Sequence, residues 1–223
     1  MNANSFRRLP RHIGVIPDGN RRWAIDRGMS KKEGYRFGVD AGFQMYRLCR
    51  DLGVDELTLY GFTRDNTKRP VGQREEFSTA CVEAVMRLAG EDAALRVIGD
   101  DRSPMFPEDL RAFTERREFG AADIRVNFLV NYDWAWDLGH AYRSGDGFSS
   151  VRREIPREIA SADISRMDLI IRWGGRRRLS GFLPVQSVYA DMYVHEAMWP
   201  DFEPQHLWEA LTWYQDQDVT LGG

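Results

Sequence analysis

The sequence predicts an α/β protein in which a mostly parallel sheet is flanked by helices. Short β-branched runs alternate along the chain with longer segments whose apolar residues recur at helical spacing. Such alternation is typical of strand–helix–strand units, which build parallel sheets covered by helices. Because no long linker or low-complexity tract divides the 223 residues, we expect a single domain over residues 1–223.

The first half of the chain alternates between strands and helices. HIGVIPDGN (12–20) is an apolar, β-branched run closed by turn residues, which is typical of a strand that enters a loop. Apolar residues at helical spacing predict a helix over 34–52, and DELTLYGFT predicts a second strand over 55–63. A helix over 77–88 and a strand over 95–100 complete this half.

The second half continues the alternation. PEDLRAFTERRE (107–118) predicts a helix, since proline stands at its start and acidic residues fill its first turn. IRVNFLVNY (124–132) is the most strand-like segment of the chain. MDLIIRW predicts a further strand over 167–173, and a helix is expected from about Phe182 to Asp191.

Composition excludes several classes of protein. The 31 basic and 34 acidic residues give a net charge of −3, which argues against a nucleic-acid-binding protein. A hydrophobic fraction of 43% excludes intrinsic disorder, and no apolar stretch is long enough for a transmembrane segment. Only two cysteines occur, Cys49 and Cys81, too few for a disulfide scaffold, so we expect a cytoplasmic protein.

Three loops carry the residues that suggest a function. Ligands of parallel sheets bind beyond the carboxyl ends of the strands, where the loops 18–23, 63–70 and 172–181 are expected. Backbone N–H groups and arginines bind phosphate, and a carboxylate fits beside them when Mg²⁺ bridges it to the phosphate oxygens. The first loop has all of these features in Asp18, Gly19, Asn20, Arg21, Arg22 and Trp23.

The other two loops are cationic as well. The second combines hydroxyls, an amide and cations in Thr63, Arg64, Asp65, Asn66, Thr67, Lys68 and Arg69. The third surrounds a Gly-Gly turn with Arg172, Arg176, Arg177 and Arg178, followed by Leu179 and Ser180. Cations so close in sequence repel each other unless an anion lies among them. Solvated turns, or a nucleic-acid patch at the third loop, are the alternatives.

Together the loops predict two anion sites and one metal ion. The chain has neither a P-loop motif nor a Gly-x-Gly-x-x-Gly fingerprint, so a nucleotide site is not indicated. Two phosphate sites beside an aromatic-rich, apolar body suggest substrates with diphosphate heads and hydrocarbon tails.

Five segments resemble the cis-prenyltransferase family, of the undecaprenyl diphosphate synthase type, and occur in the family's order. They are HIGVIPDGNRRWA, LTLYGFTRDNTKRP, LRVIGD, DLIIRWGGRRRLSGFL and YADMYVHEAMWPDF, and they span His12 to about Phe202. The resemblance implies a cis-prenyltransferase fold, a homodimer, Mg²⁺ as cofactor, and allylic and C5 prenyl diphosphates as substrates.

The resemblance also implies roles for individual residues. Asp18 is expected to carry Mg²⁺, with Asp191 completing the metal shell where the family has a glutamate, and Asn66 to assist proton removal. The expected catalytic residues are Asp18, Arg22, Asn66 and Ser180. The expected substrate-binding residues are Gly19, Asn20, Arg21, Arg22, Trp23, Lys31, Tyr35, Thr63, Arg64, Asp65, Thr67, Arg69, Arg172, Arg178, Leu179 and Ser180.

Departures from the family pattern point to one branch. Tyr35 replaces a histidine, Lys31 an arginine and Thr67 a tryptophan, and the segment after Pro70 looks trimmed. These changes resemble the lavandulyl and cyclolavandulyl diphosphate synthases, which join short isoprenoid diphosphates head to middle. We therefore expect a short-chain synthase that condenses dimethylallyl or geranyl diphosphate with a C5 prenyl diphosphate and releases pyrophosphate. Three large apolar side chains either limit the length of the substrate's hydrocarbon tail or only pack in the core: Phe62, Met86 and Trp134.

Three other functions are compatible with the same fold. A regular short-chain Z-prenyl synthase would use isopentenyl diphosphate as acceptor, head to tail. A terpene cyclase would ionise one substrate and need no second clamp, and a non-catalytic partner subunit would be free to lose Asp18. The sequence leaves open the product length, the regiochemistry and the group that removes the proton: Asn66, Ser180, Tyr35 or pyrophosphate.

Overall fold

The computed structural model describes residues 6–68, 70–144 and 151–218, and its core is a seven-stranded sheet. The strands are β1 (His12–Ile16), β2 (Glu56–Thr63), β3 (Ala93–Ile98), β4 (Arg117–Phe119), β5 (Ile124–Tyr132), β6 (Leu169–Arg172) and β7 (Asp191–Val194). Their order across the sheet is β4-β3-β5-β2-β1-β6-β7, and every neighbouring pair is parallel except β3 and β4. The predicted mostly parallel α/β fold is confirmed.

Helices cover both faces of the sheet. They are α1 (Asn20–Asp26), α2 (Lys31–Asp51), α3 (Val71–Leu88), α4 (Trp134–Ser144), α5 (Val151–Glu158), α6 (Pro184–Ser187) and α7 (Pro204–Gln215). The larger apolar cluster joins α2, α3 and α7 to one face, and a smaller cluster joins residues around α6 to the other. Among the helices of the described ranges, none is long and apolar enough to cross a membrane.

The strand order reverses between β1 and β6. From β1 the sheet extends through β2, β5 and β3 to one side, whereas β6 and β7 extend it to the other. Ile16 pairs with Arg172 at the carboxyl ends of these two strands, so the loops that follow them diverge from a common crevice. Ligands of open parallel sheets bind in such a crevice.

A bulge in β2 directs an aromatic side chain toward the helices. The pairing with β5 shifts register between Tyr60 and Phe62, and a side chain at Gly61 would approach the Phe128 ring to 2.6 Å. The extra residue moves Phe62 onto the face that already carries Leu57 and Leu59. Tyr60 stays on the opposite face, in the smaller cluster.

Two predicted helices are wrong. Over 107–118 the chain makes only a 3₁₀ turn at Glu108–Phe113, because Arg117–Phe119 pair with β3 as the antiparallel edge strand. Over 182–191 only α6 is helical, and the chain then forms β7 against β6. In both places pairing with a sheet edge outweighs the local helical signal.

Candidate active site

A cavity of about 620 Å³ opens at the carboxyl ends of β1, β2 and β6, beneath α2 and α3. Its polar part is lined by many of the residues predicted from the sequence: Asp18, Gly19, Asn20, Arg21, Arg22, Lys31, Tyr35, Thr63, Asp65, Asn66, Arg172, Arg178 and Ser180. The structure therefore brings all three predicted loops to one cavity, which the sequence could suggest only from their positions after strands.

The rest of the cavity is apolar. It is lined by Val39, Phe43, Leu59, Phe77, Ala80, Cys81, Ala84, Leu88 and Phe128. The Tyr35 and Phe77 rings stack at 4.7 Å between α2 and α3. Burial raises the pKa of the Cys81 thiol to about 12, so it stays protonated at neutral pH and offers no thiolate nucleophile. This part of the cavity suits a hydrocarbon tail.

Asp18 and Arg172 join the first loop to the third. Arg172 Nη2 donates to Asp18 Oδ2 at 2.7 Å, and its Nη1 donates to Ser180 Oγ at 3.0 Å and to the Arg178 carbonyl. The Arg172 side chain is 4% exposed, whereas that of Asp18 is 33% exposed. The guanidinium is thus a fixed part of the protein, and the carboxylate keeps a face toward the cavity.

The Gly-Gly turn makes room for Arg22. Gly174 has a φ of +80°, and a side chain there would approach Arg22 Nη2 to 2.5 Å. Arg22 Nη2 instead donates to the Gly174 carbonyl at 2.9 Å and lies 3.6 Å from Asp18 Oδ1. Glycine is therefore needed both for the left-handed backbone and for the close approach of the arginine.

Three cations at the mouth have no carboxylate partner in the described part of the chain. They are Arg21, Lys31 and Arg178, and all three line the cavity. By contrast Arg177 pairs with Glu196 at 2.9 Å. The predicted repulsion among the four arginines of the third loop is thus relieved inside the protein for Arg172 and Arg177. Arg178, with Arg21 and Lys31, remains available for an external anion.

The second loop contributes a buried amide. Asn66 is 8% exposed within the 3₁₀ turn Arg64–Lys68, and its Nδ2 donates to Thr63 Oγ1. Arg64 is exposed, lies 3.3 Å from Asp133, and does not line the cavity. Arg69 and the side chain of Thr67 lie outside the described residues.

Some predicted side chains lie away from the cavity. Trp23 is a buried residue of α1, and its Nε1 donates to Asp201 at 2.6 Å, so it anchors that helix. Leu179 packs against the smaller apolar cluster. Phe62 packs against Phe77, and two further tail-limiting candidates, Met86 and Trp134, are exposed and do not line the cavity.

The structure separates Asp191 from Asp18. Asp191 pairs with Leu169 at the amino end of β6, three residues before Arg172, which places it roughly 10 Å from the level of the cavity mouth. Its carboxylate lies 3.9 Å from Arg8 on that side of the sheet. The two aspartates of one chain therefore cannot hold the same ion, which corrects the metal pair expected from the resemblance.

Tyr60 is a cavity residue that the sequence analysis overlooked. Its hydroxyl donates to the Ser180 carbonyl at 2.9 Å, and burial raises its pKa. The position of Tyr60 near the carboxyl end of β2, just before the second loop, could have indicated that it lies near the site. Its hydrogen-bond partner Ser180 could not be predicted, because the two residues are 120 positions apart in sequence.

Comparisons with known proteins agree with this fold. The sequence profile of the undecaprenyl diphosphate synthase family matches residues 16–222. A ditrans,polycis-undecaprenyl-diphosphate synthase ((2E,6E)-farnesyl-diphosphate specific) of Pseudomonas syringae pv. tomato is 33% identical over 235 residues, covering 96% of this chain and 91% of the relative. An isoprenyl transferase of Nitrosomonas europaea is 32% identical over 226 residues, covering 96% and 86%.

A solved structure has the same fold. Lavandulyl diphosphate synthase from Lavandula x intermedia, in complex with dimethylallyl diphosphate, superposes with a TM-score of 0.84 at 22% identity. The alignment covers 96% of this chain and 98% of that one. The chain belongs to the undecaprenyl diphosphate synthase family of cis-prenyltransferases. Its class is that of the prenyl diphosphate synthases.

Proposed function

We propose that this chain is a short-chain prenyl diphosphate synthase. It joins an allylic diphosphate, dimethylallyl or geranyl, to a C5 prenyl diphosphate, head to middle, and releases pyrophosphate. The observation that carries the proposal is one cavity whose mouth has a carboxylate beside unpaired cations and whose remaining lining is apolar.

The allylic diphosphate is assigned to the first loop. Arg21, Arg22 and Lys31 line the mouth on this side, and Lys31 is the first residue of the long helix α2. Their positive charges stabilise the pyrophosphate as it departs and leaves an allylic cation. Stabilising the charge that develops in the transition state is usually the largest single catalytic contribution.

Asp18 fits a magnesium ion. Mg²⁺ in phosphate sites is held by one or two carboxylates together with phosphate oxygens, and Asp18 is a partly exposed carboxylate beside phosphate-binding cations. Bound there, Mg²⁺ would neutralise charge on the diphosphate. The hydrogen bond from Arg172 holds the Asp18 carboxylate in place beside the cavity, whereas Asp191 is too far away to share the ion.

The C5 diphosphate is assigned to Arg178 and Ser180, with Arg172 behind them. Ser180 Oγ accepts from Arg172, so its own proton is free to donate to a phosphate oxygen. Holding both substrates in one cavity replaces an encounter by an effectively unimolecular step, worth about 7–11 kcal/mol at best. The proton that leaves the adduct is relayed by Asn66, Ser180, Tyr35 or the released pyrophosphate.

The size of the cavity supports short substrates. About 620 Å³ is in the range of pockets that bury one drug-sized ligand, roughly 300–1,000 Å³. Two C5 units, or a C10 and a C5 unit, are of that size. A long polyprenyl tail would have to pass the side chains of Phe43, Leu88 and Phe128, which line the apolar part of the cavity.

Regular head-to-tail condensation is the second candidate. Several relatives that are 31–33% identical to this chain are undecaprenyl diphosphate synthases specific for (2E,6E)-farnesyl diphosphate. In this alternative isopentenyl diphosphate is the acceptor, and the product is a short linear Z-prenyl diphosphate. Both candidates use the same two diphosphate sites, so the acceptor's double bond decides between them.

Product analysis separates the two candidates. The purified protein is incubated with Mg²⁺ and with dimethylallyl, geranyl and isopentenyl diphosphates, singly and in pairs, and the dephosphorylated alcohols are identified. Branched alcohols from dimethylallyl diphosphate alone, or from its pair with geranyl diphosphate, are expected. A linear Z product formed only when isopentenyl diphosphate is present would replace the head-to-middle assignment, and no condensation product at all would refute both.

We also propose a cytoplasmic homodimer. Both cysteines are buried free thiols, which suits a reducing compartment. Three large exposed side chains lie in or next to the helices on the face of the sheet that carries the smaller apolar cluster: Tyr142, Val188 and Tyr189. Sedimentation should show a dimer that Val188→Glu weakens and that Ile25→Glu, at an exposed position near the cavity mouth, leaves intact.

A further inference from the structure

The loop that carries Ser180 has an unusual backbone. Ser180 has a φ of +54° and Leu183 a φ of +36°, both in the left-handed region that residues other than glycine rarely adopt. Such conformations persist only where the surrounding structure holds them, and they concentrate at functional sites.

Tyr60 makes the contact that fixes the loop at Ser180. Its hydroxyl donates to the Ser180 carbonyl at 2.9 Å, and its ring packs on the Phe182 ring at 4.9 Å. Tyr60 itself is rigid, because it lies on the central strand β2, is 7% exposed and packs edge-on against Tyr132. The Tyr60 hydroxyl therefore has a fixed position, and its hydrogen bond holds the loop at Ser180.

The same hydrogen bond removes Tyr60 from phosphate binding. Tyr60 lines the cavity, but a phenol has only one O–H group to donate. Here that group donates to the Ser180 carbonyl. Its remaining lone pairs can only accept, which is unfavourable toward a diphosphate oxygen. Because burial raises the pKa of Tyr60, the hydroxyl keeps its proton and the bond persists at neutral pH.

We propose that Tyr60 is a positioning residue for the C5 diphosphate. By holding the Ser180 carbonyl it keeps Ser180 Oγ beside Arg172 and directs the neighbouring Arg178 into the cavity. The inference rests on the proposed function, since it assigns Arg178 and Ser180 to the second substrate. It predicts an effect confined to that substrate, because the allylic side, with Asp18, Arg21 and Lys31, has no contact with the Tyr60 hydroxyl.

The test is Tyr60→Phe, which removes the hydroxyl and keeps the ring. Calorimetry with isopentenyl diphosphate alone measures the C5 site, because this homoallylic compound does not ionise. Geranyl thiolodiphosphate, which resists ionisation, measures the allylic site. Loss of one such hydrogen bond should raise the dissociation constant of isopentenyl diphosphate by about three- to tenfold and change that of the thiolo compound by less than about twofold.

Tyr46→Phe is the matched control. Tyr46 is also buried, and its hydroxyl also donates to a backbone carbonyl, that of Asp92, at 3.1 Å, but it does not line the cavity. Both dissociation constants should stay at their original values in this variant. A general loss of stability would act on both ligands and would appear in both variants.

Hydrogen exchange of the free protein tests the loop without any substrate. The Phe182 N–H donates to the Leu179 carbonyl at 3.1 Å, so its exchange reports the closed turn. It should become several-fold faster in Tyr60→Phe and stay unchanged in Tyr46→Phe. Unchanged exchange, or an equal rise of both dissociation constants, overturns the inference. If the unaltered protein binds neither probe and forms no product, the proposed function fails instead.

Discussion

At the scale of single residues, the ion pair of Asp18 and Arg172 organises the site. The arginine is almost fully buried, and its two Nη atoms donate to Asp18, to Ser180 and to the Arg178 carbonyl, so it holds the first and third loops together. Removing one member of a buried pair leaves the other charge uncompensated, which is costly. Any test of Asp18 must therefore keep a hydrogen-bond acceptor for Arg172.

Asp18→Asn meets that requirement. The amide oxygen can still accept from Arg172, while the negative charge that would hold a metal ion is gone. Loss of one preorganised electrostatic contact costs about 10²–10³ in kcat, and we expect a decrease of that size in steady-state product formation. The melting temperature should fall by less than in Asp18→Ala, in which Arg172 loses the hydrogen-bond acceptor as well as the opposite charge.

Asp26→Asn is the control for this substitution. Asp26 is the exposed last residue of α1 and does not line the cavity. The kcat of the Asp26→Asn variant should equal that of the unaltered protein. Turnover by Asp18→Asn within about threefold of the original would remove the carboxylate from the mechanism.

At the scale of elements, α3 contributes side chains to the apolar part of the cavity. Its inward face presents Phe77, Cys81, Ala84 and Leu88 to the cavity, so small side chains in the middle are followed by a large one at the end. Leu88, the last residue of the helix, is 1% exposed. We infer that it sets the limit on donor length.

Leu88→Ala should admit longer donors. With the side chain shortened, the ratio of kcat/KM for farnesyl diphosphate to that for geranyl diphosphate should rise by about tenfold, the value of one or two well-packed methylene groups. The substitution should also lower the free energy of unfolding by about 2–5 kcal/mol, so assays belong well below the melting temperature.

Met86→Ala provides the comparison on the same helix. Met86 is exposed and does not line the cavity, and so its truncation should alter neither the ratio nor the melting temperature appreciably. An unchanged ratio in folded Leu88→Ala would show that another element sets the donor length.

Elements also show what the sequence could predict. The strands β1, β2 and β5 could be predicted because each lies in an apolar segment rich in β-branched or aromatic residues. The edge strands β4 and β7 were not, since Arg117–Phe119 and Asp191–Val194 are too short for a periodic signal and form only because β3 and β6 offer free edges.

The same limit applies to the site. Asp18, Asn66 and Arg178 could be predicted because each follows a recognisable strand within a distinctive motif. The position of Asp191 could not, because a motif fixes neighbours in sequence but not the end of the sheet at which a residue lies. Tyr60 and its bond to Ser180 join residues 120 positions apart, a pairing that only the folded chain creates.

At the scale of the whole molecule, the two ends of the sheet have different roles. The carboxyl end carries the cavity, and the amino end carries a buried polar network on the second face. There His12 Nε2 lies 2.8 Å from Thr58 Oγ1, and Asn127 donates to both Thr58 and Glu56. We expect this network to govern acid stability without contributing to substrate binding.

The pH dependence of stability follows from the shifts in this network. Burial lowers the pKa of His12 despite the nearby Glu56 and Asp168, so the folded protein releases a proton that the unfolded chain binds below about pH 6.5. Burial would raise the pKa of Glu56, but His12, Ser165, Asn127 and Arg125 together lower it, so its contribution is lost below about pH 4.5.

Thermal melting should therefore show falling stability as the pH decreases from 7 to 5. His12 alone contributes at most about 1.4 kcal/mol per pH unit in this range, and His206, whose pKa burial and His195 also lower, acts in the same direction. His12→Gln should flatten the curve between pH 7 and 5. A curve with the same slope as that of the unaltered protein would exclude His12 as its source.

The most direct test of the account is a crystal structure with two unreactive substrates, geranyl thiolodiphosphate and isopentenyl diphosphate, together with Mg²⁺. We expect two diphosphates in the cavity, one at Asp18, Arg21 and Lys31 and one at Arg178 and Ser180, with both hydrocarbon chains between α2, α3 and the sheet. A single bound diphosphate at saturating concentrations of both compounds would contradict the account.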